Sequence, residues 1–154
     1  MPLDIGDTLP EMTFATDGGG EISTVSLRGE NLILYFYPKD NTSGCTAEAC
    51  DFRDAMEEFQ HANAIVVGVS KDSVRKHDNF KAKNNLPFTL IADEDGTLCE
   101  LFGVWQEKKL YGRTYMGIER STFLIDKAGV VREAWRKVRV KGHVAAVLKV
   151  TEAF

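Results

Sequence analysis

The sequence has few cysteines and no long apolar run, and each shortage excludes a class of protein. Three cysteines among 154 residues are too few for a disulfide scaffold, and an odd number is typical of a reducing compartment. No apolar segment approaches the roughly 20 residues that a membrane-spanning helix needs. The first residues, MPLDIGDTLPEM, contain neither a basic region nor an apolar region, so no secretory signal peptide is expected. We therefore expect a cytoplasmic protein.

The overall charge does not favour binding to polyanions. A net charge of −4 gives no reason to expect nucleic acid or an anionic membrane as a partner. Hydrophobic residues make up 44% and charged residues 27% of the chain, which is usual for a globular protein with a substantial core. The sequence contains no repeat, low-complexity segment or evident linker. It is therefore expected to form one domain that spans residues 1–154.

Apolar runs and turn signals alternate along the chain in the order ββ–βαβαβα–ββα. The predicted strands are an N-terminal hairpin at 12–16 and 21–27, three apolar strands at 31–37, 64–70 and 87–92, and an antiparallel pair at 120–125 and 130–135. Helices are predicted at 46–61, 72–84, 93–102 and 142–154. The polar segment 105–116 is predicted to be a surface loop or a loose ribbon. A βαβ half followed by a ββα half predicts a thioredoxin-like α/β fold, with a mixed central sheet flanked by helices.

The segment PKDNTSGCTAEAC, residues 38–50, places a cysteine where a strand gives way to a helix. Pro38 ends the preceding apolar strand because it has no N–H to donate to a sheet. Polar residues and glycine then form a turn, and helix-forming residues follow Cys45. A helix start offers unpaired backbone N–H groups and the positive end of the helix dipole. Because both favour an anion, Cys45 is a candidate for a reactive thiolate.

A second cysteine, Cys50, follows five residues after Cys45. In an intact helix this spacing gives a rise of about 7.5 Å and a rotation of about 140°, so the two Cα atoms are more than about 8 Å apart. A disulfide needs Cα atoms within about 7 Å of each other. The two sulfurs can therefore join only if the helix start unwinds, which makes the pair a poor structural staple and a candidate for a switched redox pair.

Other uses of these cysteines fit the sequence less well. A buried free cysteine is usually a small hydrophobic residue, but Cys45 follows a polar turn rather than an apolar run. A zinc site needs about four ligands, and the three histidines are scattered without ligand spacing. Three cysteines are also too few for an iron–sulfur cluster. The absence of a C-x-x-C motif argues against a thioredoxin-type disulfide oxidoreductase.

The run YFYPKDNTSGCTAEACDFRD resembles the active site of peroxiredoxins, and specifically the peroxiredoxin Q or bacterioferritin-comigratory-protein branch. Pro38, Thr42 and Cys45 match the family pattern P-x-x-x-[TS]-x-x-C, and Cys50 matches the second cysteine of the branch. Arg120, in GIERSTFLID, matches a further family arginine. One departure is a serine two residues before the first cysteine, where the branch often has proline. It predicts at most a looser loop.

The resemblance implies a mechanism and a set of partners. Cys45 attacks a hydroperoxide and becomes a sulfenic acid, and Cys50 resolves it as a disulfide. Thr42, Arg120 and backbone N–H groups stabilise the departing oxygen, while Pro38 shapes the loop and excludes water. Thioredoxin or a glutaredoxin-type dithiol then reduces the disulfide. No metal or organic cofactor is required, and the branch is often monomeric.

Each supporting residue also has a plainer interpretation. Thr42 alone is an ordinary turn or N-cap residue, and Arg120 alone is more often a surface ion-pair residue. Glu48 either orients Arg120 or lies on a solvated helix face. Three further residues are expected to be structural, with Tyr37 in the core, His77 satisfied at the core edge and Cys99 buried. The lysines at positions 39, 108 and 109 are expected to be solvated.

Two other functions use the same chemistry or the same fold. A peroxide sensor, redox relay or chaperone-like protein would pass oxidation of Cys45 to a partner, and a thioredoxin-fold binding module would need no reactive thiol. The sequence favours the enzyme because Cys50 provides a resolving step within the chain.

Overall fold

The computed structural model of the chain describes residues 2–154. The strands in this range are β1 (Thr13–Ala15), β2 (Glu21–Ser23), β3 (Asn31–Phe36), β4 (Ala64–Ser70), β5 (Thr89–Ala92), β6 (Trp105–Leu110), β7 (Arg113–Ile118), β8 (Ser121–Ile125) and β9 (Val131–Trp135). The α-helices are α1 (Ser43–Asp54), α2 (Met56–His61), α3 (Val74–Asn84), α4 (Thr97–Leu101) and α5 (His143–Thr151). Within residues 2–154, no helix is both long and apolar enough to cross a bilayer.

Five strands form a mixed sheet in the order β5-β4-β3-β8-β9, with β3 in the centre. β4 is parallel to both β3 and β5, whereas β8 runs antiparallel to β3 and β9. Every residue of β3 is buried, as are six of the seven residues of β4. Strands covered on both faces need apolar side chains at successive positions, which explains the continuous apolar runs in the sequence.

The core lies on both faces of this sheet because side chains along β3 alternate between them. Leu32, Leu34 and Phe36 pack with α4 and the N-terminal strands, and Ile33 and Tyr35 pack with α1, α2, α3 and α5. The predicted mixed sheet with flanking helices is therefore confirmed, and so is the N-terminal hairpin, in which β1 pairs with β2. The segment 38–50 leaves the buried carboxyl end of the central strand.

Several predicted segments differ from the structure, and the helix predicted at 93–102 is limited to Thr97–Leu101. The helix predicted at 46–61 begins three residues earlier and is interrupted at Ala55, where φ and ψ are −101° and 5°. The second hairpin strand ends at Ser23, and a 3-10 turn follows at Val25–Leu27. At 105–116, where the sequence left open a surface loop or a loose ribbon, β6 and β7 form a paired antiparallel ribbon, so the ribbon is confirmed and the loop is wrong. Most of its residues are exposed, so the alternating pattern of a core strand is absent.

Candidate active site

The chain turns sharply from β3 into α1. Tyr37 is still held to the sheet, since its N–H donates to the Val69 carbonyl at 3.1 Å. Asn41 adopts the left-handed backbone conformation with φ of 62°, which asparagine tolerates better than most residues. Thr42 is the extended N-cap of α1, and Cys45 is the third residue of the helix. The predicted position of Cys45 at a strand-to-helix junction is confirmed.

The first turn of α1 leaves its backbone donors open. The Thr42 hydroxyl does not cap them but donates to the Lys39 carbonyl at 3.0 Å. The Thr46 N–H bonds to the Thr42 carbonyl at 2.9 Å, so the N–H groups before it, including that of Cys45, have no partner within the helix. These donors and the helix dipole favour negative charge beside the Cys45 sulfur. With its proton directed at the Lys39 carbonyl, the Thr42 hydroxyl faces a ligand as an acceptor and not as the donor that the resemblance implies.

Arg120 brings a positive charge to Cys45 from the segment between β7 and β8. Its Nη2 lies 3.4 Å from the Cys45 Sγ, and its Nη1 donates to Glu48 Oε1 at 2.6 Å. Cys45 and Glu48 are buried, and only 14% of the Arg120 side chain is exposed. A guanidinium at hydrogen-bonding distance in a buried setting stabilises a thiolate relative to a thiol.

Glu48 fixes the direction of this guanidinium. The interpretation of Glu48 as a solvated residue is wrong, because the residue is fully buried. Burial raises the pKa of Glu48 to about 7, although attraction to Arg120 and the hydrogen bond between them oppose the rise. With one guanidinium nitrogen held by Glu48, the other is directed at the sulfur.

Gly44 makes room for the arginine, a role that the sequence analysis did not assign. A Cβ at this position would lie 3.2 Å from Arg120 Nη2, tighter than most contacts of real Cβ atoms. Glycine is unusual inside a helix because it costs conformational entropy. A glycine immediately before a candidate nucleophile was therefore an available signal for close approach by another group.

A surface cavity of about 340 Å³ opens beside Pro38, between the loop and the β6–β7 ribbon. Its lining includes Lys71, Trp105, Lys108 and Met116. Lys108 is half-buried, and burial together with the positive charge of Arg120 lowers its pKa. The prediction of a simply solvated Lys108 is thus wrong.

Cys50 lies further along α1 in a different environment. It is a half-buried free thiol, and its Sγ is 4.0 Å from Asn84 Oδ1 at the end of α3. Arg53, on the same helix, donates to the Asn84 carbonyl at 2.8 Å. Cys45 and Cys50 are both free thiols and lie on one continuous helix, as the sequence spacing predicts.

Cys99 is buried on α4 and is the third free cysteine, as predicted. Burial raises its pKa, and so do the hydrogen bond and negative charge of Asp93. This environment favours the unreactive thiol.

Known proteins resemble this chain over nearly its whole length. A family model described as the AhpC/TSA family matches residues 5–134. The putative peroxiredoxin bcp of Coxiella burnetii is 51% identical over 148 residues, which cover 96% of this chain and 98% of that protein. The peroxiredoxin Bcp of Bacillus subtilis is 51% identical over 149 residues, which cover 97% of this chain and 95% of that protein.

Solved structures of peroxiredoxins also match this chain over nearly its whole length. A mutant PrxQ of Xylella fastidiosa matches with a TM-score of 0.95 and 41% identity, covering 99% of this chain and 98% of that one. The bacterioferritin comigratory protein of Xanthomonas campestris, studied for alkyl peroxide reduction, matches with a TM-score of 0.89 and 44% identity over 96% of this chain and 98% of that one.

Together, the fold, the thiol site and these relatives define a thiol peroxidase of the peroxiredoxin class, with the thioredoxin-like fold that the order of elements predicted. The chain belongs to the AhpC/TSA family, in its Bcp or peroxiredoxin Q branch.

Proposed function

We propose that Cys45 is the thiol that reduces the hydroperoxide in this enzyme. The observation that carries the proposal is the Arg120 nitrogen 3.4 Å from the Cys45 sulfur, at a helix start that no side chain caps. Both features stabilise negative charge where a thiolate and a developing oxyanion would lie.

In the first step, the Cys45 thiolate attacks the terminal oxygen of the hydroperoxide along the O–O bond. An S–O bond forms, the O–O bond breaks, and the electron pair leaves with the distal oxygen as an alkoxide or hydroxide that gains a proton. Arg120 and the open N–H groups of α1 stabilise this departing charge, while Thr42 accepts a hydrogen bond from the peroxide. Because Cys45 is 1% exposed, the peroxide reaches it past the exposed Thr42 and the half-buried Pro38.

In the second step, the Cys50 thiol attacks the Cys45 sulfenic acid, giving a disulfide and water. The start of α1 unwinds first, because an intact helix holds the two Cα atoms too far apart. Glycine at position 44 and the serine at position 43, in place of a proline, make this first turn less rigid.

In the third step, a dithiol reductant of the thioredoxin type, or alternatively a glutaredoxin-type donor, returns both cysteines to thiols by disulfide exchange. Alkyl hydroperoxides are proposed as substrates beside hydrogen peroxide, in line with the activity studied in the Xanthomonas relative. We further propose a monomer that forms one domain over residues 1–154 and acts in the cytoplasm, where its three cysteines stay reduced between cycles.

The proposal is tested by comparing the wild type with Cys45→Ser and Cys50→Ser in two assays. The first is steady peroxide consumption with either a thioredoxin or a glutaredoxin system, and the second is oxidation in a single turnover. We expect Cys45→Ser to be inactive in both assays. Cys50→Ser should keep single-turnover oxidation but lose steady turnover with the thioredoxin system.

Mass mapping of the oxidised wild type should show one linkage, between Cys45 and Cys50, with Cys99 free. Steady turnover by Cys45→Ser would contradict the proposal. A sensor or relay protein would instead show rapid oxidation of Cys45 with no steady turnover in either reducing system, and a binding module would show no oxidation.

A further inference from the structure

A buried cluster of charged side chains lies beneath the loop that leads into α1, away from the reacting sulfur. His77, on α3, is fully buried, and Asp40 and Asp72 are 5% and 8% exposed. Charged groups are rarely buried unless they are paired. None of the three takes part in the reaction proposed for Cys45, so their burial needs a separate explanation.

Both ring nitrogens of His77 face acceptors. Nδ1 lies 2.7 Å from Asp40 Oδ2, and Nε2 lies 2.8 Å from the Ile91 carbonyl oxygen. A neutral imidazole carries one N–H, so it cannot donate to both acceptors, whereas an imidazolium can. Burial alone lowers the pKa of His77, but the hydrogen bonds to Asp40 and Ile91 and the charges of Asp40 and Asp72 together outweigh burial and raise it. His77 and Asp40 therefore form a buried ion pair.

Asp40 connects this ion pair to the loop. It lies between Pro38 and Thr42, and its Oδ1 accepts a hydrogen bond from the Tyr37 hydroxyl at 2.6 Å. Its backbone N–H donates to Asp72 Oδ2 at 2.8 Å. Both carboxylate oxygens and the backbone N–H of Asp40 are thus hydrogen-bonded, which holds the loop at its central residue.

A metal ion does not explain the cluster. The three side chains offer ligand atoms within 4.8 Å of one another. However, an imidazole that donates from both nitrogens has no lone pair for a metal. Asp72 Oδ2 also accepts from the Ser70 hydroxyl at 2.7 Å, so the cluster satisfies its own hydrogen bonds.

We propose that His77 is a positioning residue for the reaction with peroxide, acting through Asp40 to hold the loop from Pro38 to Thr42 in register with Cys45 and Arg120. The inference rests on the proposed role of Cys45. The loop has few other fixed points, since Lys39, Asn41 and Thr42 are exposed. A catalytic arrangement loses rate steeply when its parts move by about 1 Å, so a loosened loop should slow the chemistry in a protein that still folds.

The test compares two reactions of the same sulfur. Cys45 oxidation by hydrogen peroxide needs the aligned loop, whereas alkylation by iodoacetamide needs only access and a thiolate. The Cys50→Ser background is used so that one thiol of α1 reacts, and mass spectrometry reads the modification at Cys45. We expect His77→Gln and Asp40→Asn each to lower the ratio of peroxide rate to alkylation rate about tenfold.

Val131→Ala is the matched control. Val131 is fully buried on β9, in the core on the other face of the sheet from His77. Truncating a buried valine to alanine leaves a cavity and lowers stability. Thermal unfolding of Val131→Ala and His77→Gln shows whether the two variants lose similar stability. The control should unfold at lower temperature and keep the wild-type ratio of rates. If His77→Gln and Asp40→Asn also keep that ratio, His77 is merely structural and the proposal is overturned.

Two further measurements keep the proposal testable if His77→Gln does not fold. If His77→Gln does not fold, Tyr37→Phe removes one hydrogen bond from Asp40 with little change of shape, and we expect about a threefold drop in the ratio. An unchanged ratio in Tyr37→Phe would then count against the proposal.

Nitrogen-15 NMR of wild-type His77 at neutral pH should show both ring nitrogens protonated, and Asp40→Asn should abolish this pattern. A neutral wild-type ring would also contradict the proposal, whereas failure of wild-type Cys45 to react with peroxide would overturn the proposed function instead.

Discussion

Cys45 and Cys99 occupy matching positions in the molecule. Each is the third residue of its helix, α1 for Cys45 and α4 for Cys99. Each is also buried, at 1% and 0% exposure, so burial and helix position do not distinguish them. Any difference in their chemistry must come from the groups around each sulfur.

Those surroundings are opposite in charge. At α4, the N–H groups of Leu98 and Cys99 donate to the two carboxylate oxygens of Asp93 at 3.0 and 2.8 Å. The helix start is therefore already occupied by an anion, which raises the pKa of Cys99 further. At α1 no side chain caps the helix, and Arg120 approaches the Cys45 sulfur. We therefore expect Cys45, where donors remain open and the nearest charge is positive, to be the reactive one of the two buried cysteines.

The largest expected effect comes from removing the positive charge beside the Cys45 sulfur, so that its surroundings resemble those of Cys99. Arg120→Met keeps much of the side-chain length but removes the cation, and we expect single-turnover peroxide oxidation to slow by about 10²–10³-fold. Arg136→Met is the control, because Arg136 donates to the Phe102 carbonyl and packs on Phe123. Its rate should stay near that of the wild type.

The variant Arg120→Met also leaves Glu48 without its partner. Combining it with Glu48→Gln removes that buried charge, and the double variant should remain as slow as Arg120→Met alone. A double variant that recovers the wild-type rate would show that the unpaired carboxylate, rather than loss of the cation, had caused the defect.

The second-largest expected effect is a loss of stability with rising pH that is caused by Glu48. Its pKa is about 7 in the folded protein against an ordinary value of 4.5. The folded state therefore binds this proton more tightly, and the contribution of Glu48 to the free energy of unfolding falls as pH rises from 4.5 to about 7. At about 1.4 kcal/mol per pKa unit, the loss between pH 5 and pH 8 is on the order of 2–3 kcal/mol.

Denaturant unfolding of the wild type and Glu48→Gln at these two pH values measures the effect. Glutamine has no proton to lose, so the wild type should lose more stability on going to pH 8 than the variant does. Equal losses in the two proteins would show that Glu48 does not titrate in this interval.

A smaller effect is expected from Gly44→Ala. The added Cβ would press on Arg120 Nη2 at 3.2 Å, and we expect peroxide oxidation to slow by a factor of about 3–10 as the guanidinium shifts. Alanine favours a helix over glycine by about 0.5–1 kcal/mol, so slower reaction with unchanged or higher stability would separate crowding from unfolding. Ala47→Ser, at an exposed position of α1, is the control. A wild-type rate in Gly44→Ala would mean that Arg120 adapts without loss.

Cys99→Ser should have the smallest effect on catalysis. Cys99 packs in a different core cluster from Cys45, so peroxide consumption should stay within about twofold of the wild type. Stability should fall by about 1–3 kcal/mol because a hydroxyl would be buried in an apolar cluster. A large loss of turnover in a folded Cys99→Ser protein would assign this thiol a redox role.

The sequence was informative where local patterns determine structure. The apolar run of β3, the proline after it and the polar turn predicted a strand-to-helix junction, and the structure has Cys45 there. The distant Arg120 was found only because a family motif marked it. Its 3.4 Å approach to the sulfur depends on how β8 packs beside β3, which no local pattern encodes.

Residues whose roles depend on tertiary contacts were missed or left open. Glu48 has polar neighbours in sequence, so a solvated face was as plausible as burial beside Arg120. His77 was expected at the core edge, but the structure buries it completely against Asp40. At 105–116 the sequence could not decide between a loop and a ribbon, because β6 and β7 pair with each other and expose most of their side chains, so they lack the alternation of a strand against a core.

The contrast between the two buried cysteines is tested most directly by trapping the oxidised sulfur. Cys50→Ser protein is treated with one equivalent of peroxide in the presence of dimedone, which captures sulfenic acids, and peptide mass spectrometry then locates the adduct. We expect nearly complete labelling at Cys45 and none at Cys99. Labelling at Cys99, or an unlabelled Cys45, would contradict the account.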